Sequence, residues 1–274
     1  MADAMGNSIL IILIPLYVAK LPDNYLGLAV PVLVGLLISM FGFIVSFLQP
    51  LMGALSDRLG RRKLLIQVGL VLIGLSTLAF IMADQYLDIV ILRVLQGLGV
   101  ALTIPASLSL MTAITQKSTR GGSMGVFSTF RVIGFAVGPL IGGFLHTHYG
   151  FDAAFYTGSA FILLAIIVVQ IWVRDVPFEM DDEKRRSFKI IDTALLNRGI
   201  ASAALATFSM ACSFSMVVTL ENDFNSRLSI TAFGFSLAFS MLMVGRLLFQ
   251  VPLGRFSDYI GRKPIMIAGL VLMG

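Results

Sequence analysis

The sequence predicts an all-α polytopic membrane protein built from two similar helical halves. Three observations carry this prediction. Of the 274 residues, 57% are hydrophobic and only 13% charged, where ordinary globular chains carry about 25% charged residues. The mean hydropathy is +0.93, and the apolar residues form runs long enough to cross a bilayer, which takes about 20 each. One charged turn also occurs twice. Gly53-Ala-Leu-Ser-Asp57-Arg58-Leu-Gly60-Arg61-Arg62-Lys63 is echoed by Gly254-Arg-Phe-Ser-Asp258-Tyr-Ile-Gly261-Arg262-Lys263 at a constant offset of 201 residues, with Gln49 opposite Gln250.

Spans are expected at 3–19, 27–51, 64–83, 89–113, 121–145, 153–173, 199–220 and 231–252, with a partial one from 264. Alternate gaps then sort by charge. Those at 53–63, 114–120, 174–198 and 253–263 hold 4, 2, 6 and 3 Lys/Arg, while the opposite gaps hold only Lys20 and Arg227. Basic loops stay in the cytoplasm, so the N-terminus is expected there, in a multi-pass protein of the cell membrane. The net charge of +5 is thus a topology signal and gives no reason to expect nucleic acid. Tyr17, Tyr25, Tyr86 and Tyr149 fall at the expected outer ends, and Trp172 at an inner end beside Arg174. Amphipathic rings favour such headgroup positions.

Three segments follow: a six-helix half at 1–173, a cytoplasmic linker at 174–198, and the start of a second half at 199–274. About eight full spans and a partial ninth are expected, with the second half truncated, since the run after 264 is too short to cross. The linker pairs Asp181-Asp-Glu183 with Lys184-Arg-Arg186, a solvated polar run, and its tail from Phe188 is compatible with a short surface helix. Cys212, the single cysteine, excludes disulfides and thiolate metal sites and is expected to be a small packing residue.

At this point the residues resemble the major facilitator superfamily, over essentially the whole chain. Gly53 to Lys63 matches the family's signature loop between helices two and three, and Gly254 to Lys263 its echo between helices eight and nine. Arg93-Val-Leu-Gln96-Gly97-Leu-Gly99 is similar to the fourth-helix motif. Gly134-Phe-Ala-Val-Gly138-Pro139-Leu-Ile-Gly142-Gly143 is similar to the fifth-helix motif of exporters that exchange substrate against protons. Asp3-Ala-Met-Gly6 with Pro15-Leu-Tyr17 resembles the first helix of the twelve-span drug:proton antiporters, departing from it at Ile12, where a second proline is common. The resemblance implies a bundle of two six-helix halves, monomeric when full length.

Each motif also has a physical reading of its own. In the turns, Gly60 and Gly261 permit sharp reversals, and the basic residues hold the turn on one side. Asp57 and Asp258 each suit a helix N-terminus. The turns are therefore either topology determinants or a cytoplasmic latch between halves. In the latch reading, Asp258 approaches Gly121-Gly122-Ser123, and the partner of Asp57 lies beyond Gly274. Gly134, Gly138 and Gly142 share one helical face and allow close helix packing, either statically or as a tight contact between halves. Gly35, Ser39, Gly42 and Ser46 form a second such face.

An arginine at mid-span costs about 2.5–3.5 kcal/mol on insertion scales and needs a partner. Arg93, with Gln96 one turn on, and Arg131 are candidates for transport or coupling, or else for structural hydrogen bonding. Arg246 is placed to snorkel to the inner face. Asp3, with Asn7 one turn later, is either an embedded proton carrier or an interfacial carboxylate.

The leading expectation is a secondary transporter that exports small amphipathic molecules or drugs against protons by alternating access. Its partners would be a small-molecule substrate, protons and the lipid bilayer. A nutrient or metabolite importer is the alternative, and a non-transporting sensor a further one. No enzyme chemistry, cofactor or metal site is expected, the proton gradient being the energy source. His146 and His148, in an outer loop, have no acid cluster beside them beyond Asp152. Phe208, Ser209, Met210, Phe214 and Met216 would suit an adaptable pocket.

Overall fold

The computed structural model describes residues 2–21, 27–116, 120–174 and 197–273. Residues 175–196 of the linker, with its acidic and basic runs, and Tyr25 lie outside them. Among the described residues the fold is all helical. The helices are α1 (Ala2–Val18), α2 (Val30–Leu59), α3 (Arg62–Ala79), α4 (Tyr86–Ile114), α5 (Arg120–Tyr149), α6 (Phe151–Trp172), α7 (Arg198–Thr219), α8 (Glu221–Leu228), α9 (Ala232–Ile260) and α10 (Arg262–Met273), with a 3-10 turn at Phe80–Met82 after α3. Seven of them are long and apolar enough to span a membrane. We call the end that carries the Gly53–Lys63 turn the basic end.

Local chemistry sets the boundaries. A reciprocal capping box, with Asp88 accepting from the Gln85 N–H at 3.0 Å, opens α4. Asn197 caps α7 and Thr231 caps α9. Helix α2 runs through Gly53-Ala-Leu-Ser-Asp57-Arg-Leu and stops only at Gly60, whose φ of 61° is the left-handed conformation open to glycine. The repeated motif is therefore helix for most of its length, and the turn itself is two residues. The echo behaves alike, α9 continuing to Ile260 with Gly261 at φ 101°.

The helices pack in a ring: α2 on α4, α4 on α3, α3 on α6, α6 on α1, α1 on α5 and α5 on α9, closed by α9 on α10, α10 on α7 and α7 on α2. Backbones approach closely where α3 crosses α4. A Cβ added at Gly99 would sit 2.7 Å from the Gly69 carbonyl oxygen, so only glycine fits there without a shift. Three apolar clusters fill the ring. One joins α1, α2, α4 and α6 around Leu13, Leu37, Ile89 and Phe155. A second joins α3, α4 and α6 around Leu70, Ile73 and Ile162. The third, Ile12, Ala136, Val218, Phe235, Phe239 and Met243, joins α1 and α5 to α7 and α9.

Several expectations change. Tyr17 donates to the Ala83 carbonyl at 2.8 Å and buried Tyr86 donates to Leu33 O at 2.9 Å. Both hydroxyls join helices instead of reaching a headgroup layer, whereas Tyr149 and Trp172 are exposed as anchors would be. His146 and His148 belong to the last turn of α5 rather than to a loop, the His146 ring resting 4.2 Å from that of Phe151. Cys212, expected to pack, is exposed. Gly138 and Gly142 pack on Met5, Ser8 and Ile9 of α1, inside the first half, and Gly143 alone meets Ser236 of α9. The glycine face is thus chiefly an intra-half seam, because α1 and not α9 lies along it.

Candidate functional site

Two polar constellations run along one face of α1. Asp3 and Asn7, one helical turn apart, share that face. Asp3 meets Arg131 of α5, Oδ2 to Nη2 at 3.7 Å, with 15% and 25% of the two side chains exposed. Arg131 lies eleven residues into α5, about 16 Å along the helix. The Asp3 carboxylate therefore meets α5 well along that helix's length.

Asn7 faces the second arginine. Arg93 Nη1 donates to Asn7 Oδ1 at 3.4 Å and to Gln96 Oε1 at 3.3 Å. Gln96 in turn donates to Thr77 Oγ1 at 3.0 Å, and Thr77 to the Ile73 carbonyl at 2.8 Å. The guanidinium lies over the Phe41 ring at 5.3 Å, and Arg93 is only 3% exposed. Amide oxygens and an aromatic face surround this cation, an arrangement that attracts it without neutralising it. Arg93 Nε and Arg131 Nε are buried without a hydrogen-bond partner among the described residues. The five residues singled out for transport thus fall into two groups, Asp3 with Arg131 and Asn7 with Arg93 and Gln96, joined through α1. Thr77 and Phe41 complete the site, and spacing along the sequence did not point to them.

At the basic end the two charged turns differ. Asp57 accepts from Ser109 Oγ of α4 at 2.9 Å, Lys63 Nζ donates to the Gln170 carbonyl of α6 at 2.8 Å, and Arg62 is buried. Arg58 and Arg61 are exposed, and Gly53 rests in ordinary contact on Pro105. The partner that the described residues show for Asp57 is therefore in its own half, where the latch reading looked to the other. In the second turn Gly254, Gly261, Arg262 and Lys263 are exposed, and the side chain of Asp258 lies outside the described residues, as does the backbone of 117–119.

A cavity of about 570 Å³ opens between α5, α7 and α9, lined by Phe135, Met210, Phe214, Phe239, Met243 and Arg246 among others. Met210 and Phe214 of the expected pocket line it, while Phe208, Ser209 and Met216 are exposed. Arg246 therefore edges an apolar cavity at the middle of α9, where the sequence reading expects it to snorkel to the inner face.

The most consequential residue that sequence reasoning missed is Glu221. It follows the apolar run of α7 directly and is fully buried, both oxygens lacking a hydrogen-bond donor among the described residues. Burial pushes its carboxyl up to about 9, and the nearby Asn225 side chain opposes this more weakly. Had the run been continued past Leu220 with helical periodicity, an acid on the buried face would have stood out.

Three relatives have similar sequences. An uncharacterized MFS-type transporter of Methanocaldococcus jannaschii is 28% identical over 247 residues, 87% of this chain and 63% of its own. The multidrug resistance protein MdtG of Klebsiella pneumoniae is 27% identical over 245 residues, covering 87% of this chain and 58% of its own. The multi-drug resistance efflux pump PmrA of Streptococcus pneumoniae is 27% identical over 248 residues, covering 85% and 59%. The chain thus spans about three-fifths of the length of these relatives. Its residues 1–220 and 199–274 match the family described as Major Facilitator Superfamily. Ring packing, paired charged turns and sequence agree: the chain belongs to the Major Facilitator Superfamily of multi-pass membrane transporters.

Proposed function

We propose that this protein exports small amphipathic molecules, drugs among them, in exchange for protons, by alternating access as a monomer of the cell membrane. The basic loops and the N-terminus would then lie in the cytoplasm. The observation that carries the reading is the 3.7 Å Asp3–Arg131 pair between α1 and α5. Protonation of Asp3 cancels its charge and frees Arg131, so proton occupancy and the α1–α5 contact are linked. The uncancelled cation at Arg93 adds a second charge whose environment depends on how α1 sits. Substrate would occupy the apolar cavity between α5, α7 and α9, where Met and Phe side chains adapt to varied shapes. The relatives named for multidrug resistance and multidrug efflux support export as the direction.

The test uses inverted vesicles holding the protein, an imposed pH gradient with acid inside, and ethidium as the probe. Accumulation that collapses with the gradient, and that Asp3→Asn abolishes, supports the reading. Ethidium movement in the same direction as protons would overturn it in favour of import.

A further inference from the structure

Glu221 begins α8, the short helix that packs against α1, α7 and α9 at the end opposite the basic one. It is 0% exposed, and neither carboxyl oxygen has a donor among the described residues. One turn on, Asn225 Oδ1 is likewise buried with no donor. Two acceptor groups that lack a donor are an expensive arrangement in a bundle interior. A proton on Glu221 supplies the missing donor and removes the charge at once.

The next residue ties this spot to the other half of the molecule. Asn222 Nδ2 donates to the Pro15 carbonyl of α1 at 2.7 Å, across 207 positions of sequence. Beneath it, Val218 is buried in the cluster that joins α1 and α5 to α7 and α9. Glu221 thus stands where the two helical units touch.

The ionisable groups of the surrounding elements are few. On α8 they are Asp223 and Arg227; α1 brings Tyr17, with Lys20 just beyond it. Helix α5 brings His146 and His148 in its last turn, α9 has Arg246 at mid-helix, and the remaining charged positions of α7 and α9, 198, 255 and 258, fall in the helix turns nearest the basic end. None of them is among the influences on Glu221, which are burial and Asn225. Burial is the larger of the two influences.

We propose that Glu221 is a proton-binding site at the junction of α8 with α1, occupied in this closed arrangement and emptied when the junction opens to water. The proposal does not rest on the direction of transport or on the role of Asp3. It fixes the sign of a pH dependence. An acid that binds its proton more tightly when closed favours the closed form at low pH. The preference is complete below the ordinary carboxyl value of 4.5 and is lost as pH rises toward about 9. Between those limits the closed-to-open ratio falls by up to tenfold per pH unit.

The experiment places spin labels on the exposed ends of α1 and α8, through Ala19→Cys and Ser226→Cys in a Cys212→Ala background, and follows their separation with pH in lipid nanodiscs. The expected result is a short separation in acid that gives way to a longer one as pH rises. In Glu221→Gln, which stays neutral, the separation should remain short at every pH, and infrared difference spectra should lose one protonated-carboxyl band. Asn222→Ala should open the junction more readily while keeping that band. A wild-type separation that ignores pH overturns the proposal without any Glu221 variant. So does a pH response, or a carboxyl band, that survives intact in Glu221→Gln.

Discussion

Asp57 Oδ1 accepts a hydrogen bond from Ser109 Oγ at 2.9 Å, pinning the last turn of α2 to the last turns of α4. The contact joins two helices within residues 1–173 and needs nothing from residues 199–274. The turn that follows is carried by Gly60 and by Lys63, whose ammonium reaches the Gln170 carbonyl at the end of α6. Together these contacts make the first charged turn a fixed part of its own half.

Ser109→Ala should therefore cost about 1 kcal/mol, the net worth of one partly buried hydrogen bond. Asp57→Ala should cost at least as much, and the double variant should cost less than the sum of the two, because they share one interaction. Thermal unfolding in detergent measures all three. Full additivity would mean that Asp57 works through some other partner.

Asp3 and Arg131 make a similar cycle with a functional readout. Arg131→Met leaves Asp3 a partly buried carboxylate without this guanidinium, and Asp3→Asn leaves Arg131 a partly buried cation without its carboxylate; each should destabilise the protein by about 1–3 kcal/mol. The double variant Asp3→Asn/Arg131→Met should recover most of that stability and yet lose proton-driven ethidium transport. Recovery of transport along with stability would make the pair structural only.

The helices were legible because a bilayer imposes long apolar runs, and each expected span coincides with a helix, although α2 and α9 run eight residues past their expected ends and α1 is shorter than the seven helices of spanning length. The ends were less so. Residues 53–59 look like loop because Asp57 and Arg58 are charged, yet the helix runs on to the one residue that permits a left-handed turn, Gly60. Tyr17 and Tyr86 obey a hydrogen-bonding need of their neighbours' carbonyls that a positional average for aromatics does not capture. At the site, each arginine was visible as a charge that must have a reason. Its partner was not, since the approach of α1 to both α4 and α5 is a tertiary fact. Glu221 escaped because a charged residue just past an apolar run reads as loop until its burial is seen.

Glycine substitutions separate the seams of the bundle. A Cβ at Gly138 would collide with Ser8 Oγ and stand 2.7 Å from the Met5 carbonyl oxygen, and one at Gly143 would collide with Ser236. Gly138→Ala should therefore destabilise the first half by about 1–3 kcal/mol through overpacking. Gly143→Ala should loosen α5 from α9 and leave the first half intact. Gly42→Ala meets nothing within 4 Å and should be silent. Limited proteolysis between the halves, compared with overall unfolding temperature, distinguishes these outcomes. Equal behaviour of Gly138 and Gly143 variants would refute the division into two seams.

Arg93 offers the sharpest separation of stability from function. Removing it in Arg93→Ala strands Asn7 Oδ1 and Gln96 Oε1, at about 1–3 kcal/mol for each buried acceptor left unsatisfied. It also abolishes the cost of holding a charge at depth, about 2.5–3.5 kcal/mol on insertion scales. The two effects are of one size and opposite sign, so membrane insertion and unfolding temperature should change little. Arg93→Lys keeps the charge but not the planar group that lies over Phe41 and bridges Asn7 to Gln96. If the site needs only a cation, Lys restores ethidium transport that Ala has lost; if it needs the bridge between α1 and α4, both variants fail. The bridging geometry leads us to expect failure of both, with insertion intact. Normal proton-driven transport by Arg93→Ala would reduce Arg93 to a packing residue and leave Asp3 and Arg131 as the coupling pair.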